Sequence, residues 1–193
     1  MKRPQLIELL QRIQASHPDT RLIVAGSQAL YATVPSAPAV VELSIEADLL
    51  LIQEAFQARF AIEQHYGMDS PFQAETGFYA HPLGLGTIVV PPGWEERLVP
   101  FGRDAGLGNV WALEIHDLAA SKLMAGRDKD FEFLRALLEH GLCDFPTLLA
   151  RFELLRGGLY ANALPDRLTK LARQLRDWQR DDLARAIRPP TAP

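Results

Sequence analysis

Two short stretches of the sequence combine residue types that could bind a phosphate group and a metal ion. Gly26 and Ser27 follow an apolar segment and precede a helical pattern, so they can offer backbone N–H groups and a hydroxyl to an anion. Glu46 and Asp48 stand at positions i and i+2 of a second apolar segment, and strand side chains at this spacing share one face. Paired carboxylates are the hard oxygen ligands that Mg²⁺ uses when it also binds nucleotide phosphates. The pattern therefore favours a phosphoryl- or nucleotidyl-transfer site.

The elements that would position these residues are predicted from the spacing of apolar side chains. Helical spacing predicts helices over 4–15 and 52–66, and an apolar run predicts a strand over 21–25. Residues 40–51 alternate between apolar and polar types, which is typical of a strand with one core face and one polar face. The predicted core face consists of Val41, Leu43, Ile45, Ala47 and Leu49.

Shorter apolar segments separated by Gly and Pro predict the remaining elements. Strands are expected at 78–79, 87–90, 96–101 and 110–113, and helices at 117–125, 129–140, 145–155 and 165–187. The predicted fold class is therefore α+β, with a small mixed sheet flanked by helices. We expect an α/β core over residues 1–113, a helical C-terminal subdomain over 114–188 and a flexible tail over 189–193.

Composition excludes several classes of protein. A net charge of −4 gives no overall electrostatic attraction to nucleic acid, and the basic stretch 167–176 is interpreted as a solvated helix face. The single cysteine, Cys143, excludes a disulfide framework and a cysteine zinc site within one chain, and its thiol is expected to be buried or inert. No apolar run approaches the roughly 20 residues of a membrane span, so a soluble, cytoplasmic protein without a membrane partner is expected.

The candidate residues also carry a resemblance to a known family. Gly26-Ser27 followed by Glu46-x-Asp48 resembles the Gly-Ser…[Asp/Glu]-x-[Asp/Glu] signature of the polymerase-β-type nucleotidyltransferase superfamily. Within it, the chain is most similar to minimal nucleotidyltransferases related to AbiE-type abortive-infection toxins. Those families also place a lysine in a helix like 118–125, followed by an Arg-x-x-Asp-like element, here 127–130. The resemblance covers about residues 20–140 and implies a nucleotidyltransferase-like core.

The resemblance implies a reaction and a role for each residue of the first two motifs. Gly26 and Ser27 would bind the triphosphate of an NTP, and Glu46 and Asp48 would bind Mg²⁺. The implied reaction transfers a nucleoside monophosphate to an acceptor, either RNA or a protein hydroxyl, and the similarity to AbiE-type toxins implies a relation to toxin–antitoxin systems. Base preference, acceptor, oligomeric state and any antitoxin partner are left open.

The resemblance assigns the remaining two positions to the helical portion. Lys122 would neutralise phosphate charge, and Asp130 would act as a base or complete the site. The residues taken alone also allow simpler interpretations. Lys122 could be a surface lysine, and 127–130 could be a charged turn in which Asp128 caps the next helix.

Other features favour a protein without catalysis. Two-metal catalysis usually takes a third carboxylate from a later strand, and the predicted strand 87–90 has none, although Glu95 and Glu96 lie nearby. Ser27 could be a helix N-cap, and Glu46 with Asp48 a solvated strand face. The alternative function is therefore a catalytically inactive nucleotidyltransferase fold that binds a ligand or a partner protein.

The histidines do not support a metal-dependent hydrolase. His116-Asp117 invites that interpretation, but Asp117 is adequately explained as a helix N-cap. The other histidines are predicted in turns or at helix ends, where they show no ligand spacing: His17, His65, His81 and His140.

Overall fold

The computed structural model describes residues 1–34, 36–52, 56–158 and 160–187. The chain divides into two units. The first, here the sheet unit, comprises Met1–Thr87 and Glu95–Glu114. The second, here the helical unit, comprises Ile88–Trp94 and Ile115–Pro193. The predicted tail, 189–193, lies outside the described residues.

A five-stranded mixed sheet forms the centre of the sheet unit. Its strands are β1 (Leu22–Val24), β2 (Glu46–Leu51), β3 (Tyr79–Leu83), β4 (Val99–Pro100) and β5 (Val110–Ala112). Their order is β3-β2-β1-β5-β4, with β1 antiparallel to β2 and parallel to β5. β2 and β3 run parallel, and β4 and β5 run antiparallel. All three residues of β1 are fully buried, as expected for a central strand without a polar face.

The helices of the sheet unit pack beside this sheet. They are α1 (Arg3–Ser16), α2 (Ala39–Glu42), α3 (Phe56–Tyr66) and α4 (Pro71–Thr76). α1 begins with a proline in its first turn and buries Leu6, Leu9, Leu10 and Ile13, which lie on one face. A 3₁₀ helix at Ser27–Ala32 follows β1. The described residues thus confirm the predicted α+β class with a small mixed sheet flanked by helices.

The long strand predicted at 40–51 is wrong in its first half. Residues 39–42 form α2, and β2 begins at Glu46, whose partner Tyr79 is the first residue of β3. Earlier residues therefore lie beyond the end of the neighbouring strand. As a result Leu43 is 80% exposed and Ile45 51% exposed, whereas both were expected in the core.

Other predicted strands are absent or shorter in the structure, because local hydrogen bonds form turns at those residues. Residues 87–90 are not a strand, since Leu85–Thr87 forms a 3₁₀ turn in which the Thr87 hydroxyl donates to the Gly84 carbonyl at 2.7 Å. The strand predicted at 96–101 shortens to β4 because a 3₁₀ turn occupies Trp94–Arg97. The helix predicted at 52–66 is seen from Phe56, with 53–55 outside the described residues.

Five helices make up the described part of the helical unit. They are α5 (Ile115–Ala125), α6 (Asp128–Glu139), α7 (Phe145–Leu154), α8 (Leu164–Asp177) and α9 (Asp181–Ala186). α5 contacts α6, α7 and α8 and buries Leu118, Ala119, Ala120 and Leu123. The single helix predicted at 165–187 is interrupted, because Gln179 adopts φ of 61° and the Arg180 N–H donates back to Leu175.

No helix within the described ranges combines the length and apolar character needed to cross a bilayer.

Candidate functional site

The Gly26–Ser27 turn and the Asp48 side chain lie against each other in the sheet unit. The Ala25 N–H donates to the Asp48 carbonyl at 2.9 Å, which brings the end of β1 beside the middle of β2. A Cβ atom built on Gly26 would lie 2.5 Å from Asp48 Oδ2. Only a residue without a side chain allows this approach. The fold thus brings together two motifs that lie about twenty positions apart in the sequence.

The turn after β1 differs in detail from the expected helix start. Gly26 is the N-cap of the 3₁₀ helix, and Ser27 is its first residue, so the interpretation of Ser27 as an N-cap is wrong. Ser27 is partly exposed, whereas Gly26 is buried. Ser27 therefore stands, partly exposed, at the start of a helical turn.

Two side chains of β3 hold the carboxylates of β2. The parallel register places Tyr79 opposite Glu46 and His81 opposite Asp48. The Tyr79 hydroxyl donates to Glu46 Oε2 at 3.1 Å. His81 Nδ1 lies 3.0 Å from Asp48 Oδ1 and donates to it, since an ionised carboxylate only accepts. We call these four residues, with Gly26, the strand cluster.

Burial, charge and hydrogen bonding shift the pKa values of the two donors, Tyr79 and His81. Burial raises the pKa of Tyr79, and the negative charge of Glu46 raises it further. The hydrogen bond to Asp48 raises the pKa of His81, although partial burial opposes this. His81 is 47% exposed and Asp48 25% exposed, so the carboxylate that binds the histidine is also open to solvent.

Tyr79 and His81 were not among the candidate site residues predicted from the sequence. His81 was expected in a turn or at a helix end, but it lies within β3. The signal was present, because Tyr79 and His81 stand at i and i+2, the same spacing as Glu46 and Asp48. Pro82, a residue type that seldom occurs inside strands, argues against extending the strand predicted at 78–79 as far as His81, although β3 continues to Leu83.

A second group of charged residues lies in the helical unit. Lys122 Nζ on α5 is 3.5 Å from Asp130 Oδ1 on α6, and Arg127 Nε is 2.7 Å from Asp130 Oδ2. Lys122 Nζ also lies 5.7 Å from the centre of the Phe133 ring. Asp130 is 1% exposed and Lys122 11% exposed. We call these four residues the helix cluster.

Asp130 also caps α6. Its Oδ2 accepts from the backbone N–H of Arg127, the N-cap residue, and Asp128 is only the first helical residue. The interpretation of Asp128 as the cap is therefore wrong. Burial acts to raise the pKa of Asp130, but the hydrogen bond from Arg127 and the charge of Lys122 outweigh it, and the pKa is lowered. Asp130 is accordingly a poor proton acceptor near neutral pH.

This lowered pKa predicts an acid-sensitive contribution to stability. The Asp130 carboxyl titrates at lower pH in the folded protein than in the unfolded chain, so the folded state binds fewer protons. Its contribution is complete above the unfolded pKa of about 4 and is lost as the pH falls through the folded value. Between pH 5 and pH 3, a range about the unfolded pKa, we expect the free energy of urea unfolding to fall in both proteins. The fall should be smaller in Asp130→Asn than in the wild type. Equal losses in both proteins would contradict this assignment.

Other polar residues of the helical unit tie its helices together. Asp117 is fully buried in the first turn of α5, and its Oδ1 lies 3.1 Å from Arg151 Nε on α7, so its interpretation as an N-cap is wrong. His116 Nε2 accepts from the Asp144 N–H at 3.0 Å. These two side chains have separate partners, which fits a structural role. The buried thiol of Cys143 agrees with the prediction.

The basic stretch on α8 is not entirely a solvated face. Arg167 Nε donates to the Met124 carbonyl, and Lys170 Nζ donates to the Gly126 carbonyl, both at 3.2 Å. These cations therefore bond one carbonyl group in the last turn of α5 and one just after it, where helix ends favour positive charge.

The strand cluster fits one kind of metal ion better than others. Within the described ranges, no group of three or more His, Cys, Asp or Glu side chains is placed to hold a metal ion. Glu46 and Asp48 together offer two carboxylates on one strand face. Mg²⁺ is commonly held by one or two carboxylates together with water and substrate phosphates. The residues thus fit a cation shared with a nucleotide.

Comparison with known proteins gives one match. Residues 84–179 match the model of a family described as a nucleotidyltransferase of unknown function (DUF6036). The match contains Lys122 and Asp130, whereas Glu46 and Asp48 precede it. It confirms the resemblance to the nucleotidyltransferase-like superfamily. Comparisons with curated proteins and with solved structures give no significant match.

Proposed function

We propose that this chain, in which residues 84–179 match a nucleotidyltransferase family model, transfers a nucleoside monophosphate from an NTP to a hydroxyl group of RNA or protein. The acceptor oxygen forms a bond to the α-phosphorus, the bond from that phosphorus to the bridging oxygen breaks, and pyrophosphate leaves. The hydroxyl proton passes to solvent or to a base. The observation that best supports this proposal is the close approach of Gly26 to Asp48, since the turn proposed to bind phosphate then lies beside a carboxylate proposed to bind the metal.

In this proposal the strand cluster and the neighbouring Ser27 bind the metal and the phosphates. Glu46 and Asp48 hold Mg²⁺, and Ser27 with the backbone of Gly26 binds phosphate oxygens. When bound, the cation supplies positive charge to the phosphate oxygens and orients them. Tyr79 and His81 keep the two carboxylates in place by donating one hydrogen bond to each.

The helix cluster supplies a positive charge for phosphate. Within the helical unit, Lys122 is the proposed phosphate contact and Asp130 orients its ammonium group, since the lowered pKa of Asp130 disfavours a role as base. Phe133 packs beside the same ammonium group.

The proposed role of Lys122 predicts a selective loss of affinity. Lys122→Met should weaken triphosphate binding about 10- to 100-fold, the loss of one charge-assisted hydrogen bond, and leave nucleoside binding unchanged. Titration calorimetry with an NTP and its nucleoside measures both affinities. Lys129→Met, an exposed lysine on α6, is the matched control. Equal losses for the two ligands would contradict a phosphate contact.

One observation favours the second candidate, a module that binds nucleotide without transferring it. The β3 residue beside Asp48 is His81, where a third carboxylate would suit two-metal catalysis. The resemblance to AbiE-type toxins further suggests a partner protein of the toxin–antitoxin kind in either case.

A labelling experiment tests the proposed reaction. NTPs labelled at the α- or the γ-phosphate are incubated with the protein, Mg²⁺ and either total RNA or a protein extract. We expect the α-label to enter an acceptor and the γ-label to leave as pyrophosphate, and Asp48→Asn to abolish both. Retention of the γ-label on the acceptor would contradict nucleotidyl transfer. Mg²⁺-dependent binding without any transfer would establish the second candidate instead.

A further inference from the structure

Two arginines lie against one tryptophan at the surface of the sheet unit. Arg21 Cζ is 5.1 Å and Arg103 Cζ 5.3 Å from the centre of the Trp111 ring. Trp111 is the middle residue of β5 and is partly exposed, whereas both of its neighbours in the strand are buried. Arg21 immediately precedes β1 and Arg103 follows β4, the two strands that flank β5. We call these three residues the arginine–tryptophan cluster.

The cluster presents hydrogen-bond donors that lack acceptors. Among the residues that the structure describes, the guanidinium group of Arg21 has neither a hydrogen bond nor an ion pair. Arg103 uses only Nη1, which donates to the carbonyl groups of Leu107 and Gly108. Its Nε and Nη2, and the indole N–H of Trp111, likewise have no acceptor in the described part of the chain. Because these side chains can only donate, they suit a ligand that is rich in acceptors.

The charges of the two arginines are available to such a ligand. Both side chains are exposed, and neither pairs with a carboxylate in the described ranges. Asp104, the neighbour of Arg103, binds Arg3 instead, with each of its oxygens 3.0 Å from Nη2. In the sheet unit as a whole, Asp and Glu outnumber Lys and Arg. Salt at about 0.15 M screens exposed charges beyond about 8 Å, so a ligand in contact with the cluster meets mainly the two cations.

The planar groups of the cluster narrow the choice of anion. Indole rings and guanidinium planes both stack on nucleobases, and the guanidinium fork matches the geometry of phosphate oxygens. We propose that the arginine–tryptophan cluster binds a single-stranded nucleic acid, with phosphates on the two guanidinium groups and a base stacked on the cluster. A duplex offers phosphates but keeps its bases stacked on one another. That the bound strand is the RNA acceptor rests on the proposed function, whereas the binding itself does not.

Fluorescence anisotropy with labelled oligouridylate and oligodeoxyuridylate of about ten nucleotides tests the proposal. The full chain is titrated at several KCl concentrations in EDTA, without NTP. Each cation that contacts a single strand contributes about 0.7 to the slope of log K against log salt concentration. We expect Arg21→Gln and Arg103→Gln each to lower this slope by about 0.7 and to weaken binding about fivefold at 0.1 M KCl. This result with either oligonucleotide supports the proposal, and a preference between them identifies the ligand as RNA or DNA.

A variant that keeps the charge separates stacking from electrostatic attraction. Arg21→Lys retains the cation but loses the planar group, so binding should weaken while the salt slope stays that of the wild type. Arg59→Gln is the matched control, because Arg59 also lies over an aromatic ring of the sheet unit, 5.6 Å from the centre of Phe56. It should keep both the affinity and the slope of the wild type.

Three results would overturn the proposal. The first is a wild type that binds neither oligonucleotide, and the second is wild-type affinity and slope in both Arg21→Gln and Arg103→Gln. The third is displacement of the oligonucleotide by polyglutamate as readily as by its unlabelled form, which would assign the cluster to an acidic polypeptide.

The binding experiment also stands apart from the proposed reaction. Asp48→Asn should bind the oligonucleotide as the wild type does, because this binding needs neither Mg²⁺ nor the strand cluster. If the expected affinities are found and no α-label enters an acceptor, the proposed function fails and the binding site stands. If transfer occurs and the cluster variants bind as the wild type does, the proposal of this binding site fails alone.

Discussion

Gly26→Ala should greatly reduce Mg²⁺-dependent nucleotide binding while the protein stays folded. The added methyl carbon would lie 2.5 Å from Oδ2 of Asp48 and 3.0 Å from its Cβ. Because the pairing of β2 with β3 and the bond from the Ala25 N–H fix the Asp48 backbone, the carboxylate must rotate away and lose its hydrogen bond to His81. We expect at least a tenfold weaker affinity for the Mg²⁺–NTP complex and a loss of about 1–3 kcal/mol in stability.

This substitution isolates the contact with Asp48. Gly26 has φ of −86°, which alanine adopts without strain, so the expected effect comes from the collision alone. Gly86→Ala is the matched control in the same unit, because a Cβ there would meet no atom within 4 Å. Wild-type affinity in Gly26→Ala, measured by calorimetry, would show that the turn and Asp48 do not form one site.

Asp130→Ala should cause the largest loss of stability among these substitutions. It leaves the partly buried Lys122 without its carboxylate partner and removes the cap of α6. Breaking a buried ion pair from one side costs about 3–5 kcal/mol, and we expect about 3 kcal/mol because Arg127 is half exposed. Urea unfolding of the wild type and the variant measures the difference.

Asp128→Ala is the matched control for this experiment. Asp128 stands two residues earlier on α6 and pairs with Lys170, but its side chain is 99% exposed. Solvent screens such a pair, so little change in stability is expected. Similar losses in the two variants would mean that the helix cluster does not depend on the buried carboxylate.

Much of the fold follows from local pattern, and the errors occur where tertiary contacts decide. The helices of the helical unit have clear apolar periodicity and turn residues, so α5, α6 and α7 lie close to their predicted bounds. The alternation over residues 40–51 begins several residues before Glu46, where the pairing of β2 with β3 starts. A local pattern cannot reveal where the partner strand ends. The break at Gln179 is equally hidden, because glutamine rarely adopts positive φ.

The candidate site was only partly accessible from the sequence. Glu46 and Asp48 were found because their spacing and charge are local features. Their donors Tyr79 and His81 come from a strand more than thirty positions later, and only the parallel pairing brings them together. Likewise Lys122 and Asp130 were identified by resemblance, but their ion pair and the capping role of Asp130 depend on the turn between α5 and α6.

Equilibrium dialysis of labelled NTPs, with and without Mg²⁺, tests most directly whether the strand cluster is a metal–nucleotide site. We predict binding that requires Mg²⁺, that is lost in Asp48→Asn, and that persists in Asp19→Asn, which changes an exposed aspartate of the same unit. Binding that is independent of Mg²⁺, or equal in Asp48→Asn and the wild type, would contradict the account.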